Sequence, residues 1–228
     1  MFKDYLVQQH GVEEQKIEYL PQYAAAQFDE VEQIQNEKST IDLMFAGNIG
    51  AAQSLETVLK AAEILREESN LRWHIVGDGS ELDNLKKMAE EKNLRNVIFY
   101  GRKPSDEMPQ YYAMADAMLV TLTADRFISL TLPGKVQTYM AAGKPIIGAA
   151  IGEIPNVIDA AKCGYCANAE DAKGLAEAVL KFIANENRKQ LGENSRAYYE
   201  QHFTRDMFMN HLEKELRCYG YKKEGATA

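Results

Sequence analysis

Short apolar runs alternate with amphipathic stretches of helical period from Ile41 onward. This alternation is typical of parallel strands joined by crossover helices, because a chain that returns to the same end of a sheet needs a long connection. The sequence therefore predicts the α/β class. The expected strands lie at residues 43–46, 73–76, 97–100, 117–121, 145–148 and 165–167, with helices between them, one of them at 104–115.

The two ends of the chain differ from this alternating region. Residues 1–40 contain a short helical stretch, an apolar strand-like run at 16–20 and a segment rich in Gln and Glu. We interpret them as a remnant of a preceding domain and a linker to a domain at residues 41–203. Three helices are expected at 175–183, 189–200 and 205–219. The last has a partly apolar face, so residues 204–228 are predicted to pack on a domain outside this chain.

The charge balance argues against a nucleic-acid partner. The chain has 26 Lys and Arg residues against 34 Asp and Glu residues, a formal net charge of -8, whereas a nucleic-acid backbone requires a basic surface. An anionic ligand must therefore find a local site. No apolar stretch approaches the roughly 20 residues that span a bilayer, and residues 1–9 lack the core of a signal peptide. These features predict a soluble, cytoplasmic protein.

The cysteines do not form an extracellular disulfide pattern. There are three, and Cys163 and Cys166 have CxxC spacing. A zinc site requires four ligands, and no second pair or histidine cluster lies nearby in the sequence. A redox pair is one interpretation. We favour the alternative in which Cys166 is a buried strand residue and Cys163 a small residue at the preceding turn.

Three glycine turns follow the first three predicted strands, at the edge where ligands bind to doubly wound sheets. The first contains Gly47, Asn48 and Gly50 before a helix that begins near Gln53. The second contains Gly77. The third contains Gly101, Arg102 and Lys103. Glycines there allow the backbone to approach a phosphate, although each turn could equally be a tight connection without a ligand and each basic residue a solvated charge.

The turn after the fourth strand carries the strongest indication of an anion site. It runs through Thr131, Leu132, Pro133, Gly134 and Lys135 into a helix. Unpaired amides of residues 131–135 can point at an anion, and Lys135 adds a full charge, so this loop is the predicted diphosphate site. In the alternative interpretation, Pro133 only begins the helix and Lys135 faces water.

These turns, in this order, give the chain a resemblance to a known family. The segment LPGKVQTYMAAGKPII from Leu132 is supported by FAGNIGAAQSLETVLKAA from Phe45 and IVGDGSE from Ile75. Over residues 41–203 the chain resembles the C-terminal, donor-binding domain of retaining GT-B glycosyltransferases of family 4. The sequences of these segments are similar to those of bacterial capsule and O-antigen transferases that add amino or deoxy sugars. The resemblance implies a Rossmann-like doubly wound parallel sheet with extra C-terminal helices.

The resemblance also implies a function. It implies a UDP-sugar donor, retention at the anomeric carbon, no metal and no further cofactor, and transfer to a growing cell-surface polysaccharide or a lipid-linked acceptor. The acceptor would lie on an N-terminal domain that this chain is too short to contain, so no turnover is expected from it alone. Through that domain, the intact enzyme could bind peripherally to the inner face of the cytoplasmic membrane. The implied donor-binding residues are Gly47, Asn48, Gly50, Gln53, Gly77, Gly101, Arg102, Lys103, Thr131, Leu132, Pro133, Gly134, Lys135 and Thr138.

Two departures from the family pattern affect this site. Many members have Arg and Lys where this chain has Asn48 and Gln53, and the family's Glu-x7-Glu pair falls on Leu130 and Thr138. The second carboxylate normally accepts hydrogen bonds from ribose hydroxyls, and a threonine is a weaker substitute. These departures keep open a non-catalytic nucleotide-sugar-binding or assembly module with a degenerate site. A sugar-nucleotide epimerase would need an acid and base pair, which these turns do not offer.

Overall fold

The computed structural model describes residues 2–29, 31 and 39–218. Within these residues six strands form one sheet: β1 (Ile41–Ala46), β2 (Leu71–Val76), β3 (Val97–Gly101), β4 (Ala117–Thr121), β5 (Ile146–Ala149) and β6 (Gly164–Ala167). The described helices are α1 (Phe2–His10), α2 (Leu55–Ile64), α3 (Leu82–Glu91), α4 (Met108–Met114), α5 (Gly134–Ala141), α6 (Glu153–Ala161), α7 (Ala172–Ala184), α8 (Arg188–His202) and α9 (Arg205–Cys218). The predicted α/β class and its six strands are confirmed.

All strand pairs are parallel, in the order β3-β2-β1-β4-β5-β6. This is the order of a Rossmann-like doubly wound sheet, so the expected architecture is confirmed. The order of the strands reverses between β1 and β4. Helices therefore leave the carboxyl ends of these two strands toward opposite faces, and a crevice opens between them. Doubly wound sheets generally bind their ligands at this point, so this crevice is the candidate site.

Two apolar layers cover the sheet, and β1 shows how the alternation of a strand produces them. Leu43 and Phe45 point into the layer formed with α2, α3 and α7. Met44 and Ala46 point into the layer formed with α4, α5, α6 and α8. Each strand that is covered on both sides reads as a nearly continuous apolar run, which is why the sequence signal was strong.

One local prediction was wrong, and another was confirmed only in part. Residues 16–20 are not a strand: a 3-10 turn covers Glu14–Lys16, and Tyr19 is 64% exposed. This segment runs beside α9, where Glu18 lies 3.6 Å from the imidazole of His211, and no sheet edge pairs with its backbone among the described residues. The helix expected at 104–115 is present, but it begins with a 3-10 turn, Ser105–Glu107, and continues as the shorter α4, with Pro109 in its first turn.

The C-terminal helices follow the prediction, and α9 begins at Arg205 as expected. Residue 219, the predicted end of that helix, lies outside the described residues. On α9, Phe208 packs against Tyr23 with ring centroids 5.1 Å apart, whereas Met209 and Leu216 remain 42% and 45% exposed. No described helix is both long and apolar enough to cross a bilayer.

Candidate functional site

The mouth of α5 lies at the crevice between β1 and β4. Pro133 precedes the helix in extended conformation (φ −63°, ψ 137°) and makes no side-chain cap. Within the described part of the chain, the amides of Gly134 and Lys135 donate to no protein acceptor. First-turn amides that lack a cap present partial positive charge, so the helix offers two donors to an anion.

The set of free amides is smaller than the sequence predicted. The amide of Thr131 is not free, because it donates to the carbonyl of Ile128 over 3.2 Å and closes the 3-10 turn Ile128–Leu130. Pro133 has no N–H to donate. Of the predicted loop, the amides of Leu132, Gly134 and Lys135 are left, with no protein acceptor for any of them in the described structure.

Lys135 turns inward rather than toward water. Its Nζ is buried, and among the described residues it has no hydrogen-bond partner. It lies over the ring of Phe45, 3.9 Å from the ring centroid. Burial lowers the pKa of this ammonium to about 7. The interpretation in which Lys135 is a solvated surface charge is therefore wrong, because its amino group is buried without an acceptor among the described residues.

Because Gly47 has no side chain, there is room beside it for Nζ of Lys135. A Cβ at Gly47 would lie 3.2 Å from Nζ of Lys135, and the glycine itself is exposed. One turn along α5, the hydroxyl of Tyr139 donates to the carbonyl of Ala46 over 3.0 Å and accepts from its amide over 3.2 Å. Lys135 and Tyr139 thus fasten α5 to the end of β1.

The turn after β1 uses its own side chains to hold its backbone. Oε1 of Gln53 accepts from the amide of Gly50 over 3.1 Å and from Nδ2 of Asn48 over 3.4 Å. The amide of Gly50 is therefore already occupied, and that Gly50 makes room for a diphosphate stays a prediction. Asn48 and Gln53 bind each other where many family members would place two cations.

Gly77 serves backbone packing. Its φ is +143°, and a Cβ there would lie 1.8 Å from the carbonyl oxygen of Gly47. The amide of Gly77 donates to the carbonyl of Gly101 over 2.9 Å, and that of Gly47 to the carbonyl of Val76 over 3.0 Å. These bonds continue the sheet past its strands. The glycine is thus required for contact between two turns, before any contact with a ligand.

A cleft of about 850 Å³ lies beside these turns. It brings together the predicted residues Gly47, Asn48, Gly77, Arg102 and Lys103, but the residues predicted on the α5 loop do not line it. Its size is within the range for small-ligand sites. Sequence reasoning missed Asp78, Pro104, Ser105, Met108 and Tyr112 in its lining. The i, i+4 spacing of Met108 and Tyr112 after the basic turn was the available signal.

The two basic residues of the cleft differ in their surroundings. Arg102 is exposed, whereas Lys103 is half-buried with Nζ 5.6 Å from the centroid of the Tyr111 ring. A hydrogen bond to Tyr111 raises the pKa of Lys103. The cleft therefore has one half-buried cation and one exposed cation on the side opposite the α5 mouth.

The family's carboxylate positions hold no charge here. Leu130 is half-buried in the 3-10 turn. Thr138 donates its hydroxyl to the carbonyl of Gly134 over 3.0 Å, so only the lone pairs of that oxygen are left for a ligand. Thr138 can accept a hydrogen bond from a ribose hydroxyl but cannot repeat the strength of a carboxylate.

A second cavity, of about 750 Å³, lies near the amino ends of β4 and β5 and contains none of the predicted binding residues. Its cations are already engaged: Nζ of Lys144 donates to the carbonyl of Ala115 over 2.9 Å, and Arg196 donates to the carbonyls of Ala141 and Asp29 over 2.6 and 2.9 Å. These contacts favour a structural role for this end of the sheet.

The CxxC cysteines have a structural environment. Cys163 is buried immediately before β6, and Cys166 is half-buried within it. Both thiols are free, and burial raises their pKa values to about 12 and about 11. Across the described residues, no group of three or more His, Cys, Asp or Glu side chains could hold a metal ion.

Comparison with known proteins identifies the family. The sequence profile described as "Glycosyl transferases group 1" matches residues 27–198. The chain belongs to this family. It is 31% identical over 176 residues to "Probable glycosyltransferase WbjE" of Pseudomonas aeruginosa, covering 76% of this chain and 42% of the relative. It is 27% identical over 162 residues to "N-acetyl-alpha-D-glucosaminyl L-malate synthase" of Bacillus anthracis, covering 70% of this chain and 41% of that enzyme.

Solved structures confirm the fold. The pneumococcal O-GlcNAc transferase GtfA, solved in complex with UDP and GlcNAc, superposes with a TM-score of 0.78 at 16% identity, over 97% of this chain and 44% of that protein. The chain thus spans less than half the length of these glycosyltransferases.

Proposed function

We propose that this chain is the donor-binding domain of a retaining glycosyltransferase that uses a UDP-sugar. The observation that carries the proposal is that Nζ of Lys135 is buried at the open mouth of α5 with no hydrogen-bond partner among the described residues. A diphosphate bound there would meet the amides of Gly134 and Lys135 and supply the acceptor that Nζ lacks.

The remaining parts of a nucleoside-diphosphate sugar have matching surroundings. The cleft beside Gly47 and Gly77, with Arg102 and Lys103 on its far side, would border the base. Thr138 would accept from a ribose hydroxyl. We expect the donor to be the only small molecule that the site requires.

The same groups would assist the chemistry. When the bond between the anomeric carbon and the diphosphate breaks, negative charge builds on the leaving phosphate. The amides and the ammonium that hold this phosphate in the donor complex would stabilise that charge as it builds. This is the role that we assign to the α5 mouth.

The domain organisation follows from this assignment. We place a remnant of the acceptor domain and a linker at residues 1–40, the donor-binding domain at 41–203, and at 204–228 a C-terminal segment that packs on the acceptor domain. The lengths of the relatives support a further domain, since the chain covers 42% and 41% of them. The sequence motifs GNIG and LPGK favour an acceptor in cell-surface polysaccharide assembly. We place this acceptor at the inner face of the membrane.

Calorimetric titration of the purified chain with UDP and UDP-N-acetylglucosamine tests the proposal. Lys135→Ala should weaken UDP binding by roughly 1.5 to 3 kcal/mol, the range for a charge-assisted hydrogen bond, or about 10- to 150-fold in Kd. Lys181→Ala, which removes an exposed lysine on α7, is the matched control and should bind as the wild type does. Absence of binding to any nucleoside diphosphate at millimolar concentration would contradict the proposal.

A second candidate is a non-catalytic nucleotide-sugar-binding or assembly module. The observation in its favour is that Leu130 and Thr138 present no carboxylate to the site. Both candidates predict UDP binding, so the discriminating experiment uses a protein that includes the preceding domain. Hydrolysis or transfer of a UDP-sugar, with the product's anomeric configuration determined by NMR, favours the transferase. Binding without either reaction favours the module.

A further inference from the structure

We propose that donor binding at this site takes up a proton: Lys135 is largely an uncharged amine in the unliganded pocket above neutral pH and becomes an ammonium when the diphosphate binds. This inference rests on the proposed function and adds to it a dependence of donor affinity on pH.

The geometry leaves the unliganded ammonium poorly supported. Nζ of Lys135 is buried with no acceptor among the described residues, whereas an ammonium in water makes three hydrogen bonds. Among the described residues, the contact that favours its charge is with the face of the Phe45 ring, whose centroid is 3.9 Å away. A ring face attracts a cation but accepts no conventional hydrogen bond from it, so it replaces only part of the lost hydration.

On the described elements around this pocket, the hydroxyl and carboxylate groups named below have hydrogen-bond partners of their own. On α5, Tyr139 has its hydroxyl bound to Ala46, and burial raises its pKa. In the turn after β2, the carboxylate of Asp78 accepts from the amide of Gly79 over 2.8 Å. In the loop before α5, the carboxylate of Asp125 accepts from the amides of Phe127 and Ile128 over 2.8 and 2.9 Å.

None of these groups shifts the titration of Lys135, since burial alone accounts for its pKa of about 7. The turn after β1 contributes no charge either, because Asn48 and Gln53 bind each other there.

Diphosphate binding would reverse this balance. The ligand brings at least two negative charges and several acceptor oxygens to the mouth of α5, which favours the ammonium. Above neutral pH, the amine of Lys135 takes a proton from the solvent as the ligand binds. The product is an ammonium bound to the ligand.

About one pH unit below 7 most of the lysine is already charged, and binding takes up little of a proton. From pH 7 upward, the affinity for UDP should fall by roughly fivefold between pH 7 and 8. At higher pH it should fall by up to about tenfold per pH unit, until the pH reaches the pKa of Lys135 in the liganded state.

The test is calorimetry of UDP binding to the 228-residue chain at pH 8, in Tris and in HEPES, whose ionisation enthalpies differ. At this pH a terminal phosphate, with its second pKa near 6, is fully ionised, so any proton taken up goes to the protein. We expect uptake of about 0.9 proton per UDP bound. Lys135→Met should abolish the uptake and flatten the pH dependence, whereas Lys181→Met should retain both.

The outcomes separate this inference from the function on which it rests. UDP binding with no difference between the buffers, and with the same pH profile in Lys135→Met, would overturn the inference and leave the donor site intact. No UDP binding at all would overturn both. If Lys135→Met does not fold, NMR of the Lys135 side chain in the unmutated chain decides the question: titration near pH 7 that moves upward with UDP supports the inference, and titration above pH 9 without UDP overturns it.

Discussion

Nζ of Lys135 lies 3.9 Å from the centroid of the Phe45 ring, beneath Gly47 at the end of β1. Helix α5 thus delivers a positive charge to the turn after β1. That turn has no cation of its own at Asn48 and Gln53, whose side chains bind each other. The charge of the site has one buried source on α5, and the predictions below follow from that placement.

Removing this charge should stabilise the unliganded protein. The unfolded chain holds Lys135 at its ordinary pKa of about 10.4, whereas the folded chain holds it at about 7. The unfolded state therefore binds more protons between these pH values, and the wild type gains stability as pH rises through this window. Lys135→Met should be more stable than the wild type by about 1–3 kcal/mol at pH 7, and this advantage should shrink toward pH 10.

Urea unfolding at pH 7, 8.5 and 10 checks this expectation, with the fluorescence of Trp73 as the signal. Trp73 is the single tryptophan and is fully buried. A Lys135→Met variant that is less stable than the wild type at pH 7 would show that the ammonium has good partners in the unliganded protein.

Gly77→Ala should disrupt the contact between the first two turns. The residue has a φ of +143°, and a Cβ would lie 1.8 Å from the carbonyl oxygen of Gly47. We expect a loss of about 3 kcal/mol or more in the free energy of unfolding, together with weakened UDP binding. Gly101→Ala is the matched control: its φ is +68° with nothing within 4 Å, so it should cost only about 1 kcal/mol. Equal losses for the two variants, measured in urea, would refute this account of the turns.

Thr138→Glu should strengthen UDP binding. The hydroxyl of Thr138 donates to Gly134, and a carboxylate at this position would accept from ribose hydroxyls more strongly. We expect a three- to tenfold lower Kd, equivalent to roughly 0.7–1.4 kcal/mol. Calorimetry with dUDP, which lacks one of the hydroxyls, should show a smaller gain. The same change for UDP and dUDP would place the ribose away from Thr138.

The CxxC cysteines should be unreactive. With pKa values of about 12 and about 11, Cys163 and Cys166 are almost entirely protonated at pH 8, whereas Cys218 is exposed. A thiol-specific disulfide reagent at that pH should modify Cys218 rapidly and the other two only on unfolding, as read by mass spectrometry. Rapid modification of all three, or formation of a Cys163–Cys166 disulfide under mild oxidation, would instead support a redox pair.

The fold was predictable because its signals are local. Apolar runs such as 43–46 and 117–121 are buried on both faces, and the amphipathic period of α2 and α7 appears directly in the sequence. The expectation of a strand at 16–20 was wrong, because an apolar, alternating run becomes a strand only when a sheet edge is available to pair with it.

The site was less predictable because its decisive contacts join distant segments. The glycine turns and the α5 loop were found from their composition. The inward turn of Lys135 depends on the space that Gly47 leaves, and the role of Gly77 depends on the carbonyl of Gly47. The amide of Thr131 was predicted to be free, but the chain closed a 3-10 turn there, a choice that composition does not reveal. These contacts join residues that are distant in the sequence, and one sequence alone does not show which residues meet.

The central claim is that pyrophosphate binds where Lys135 meets the end of β1, and a crystal structure of the chain with UDP measures this directly. We expect both phosphates at the mouth of α5, within hydrogen-bond distance of the amides of Gly134 and Lys135, with Nζ of Lys135 turned to a phosphate oxygen. Phosphate density elsewhere, for example in the cavity near Lys144 and Arg196, with Nζ still over the Phe45 ring, would contradict the claim.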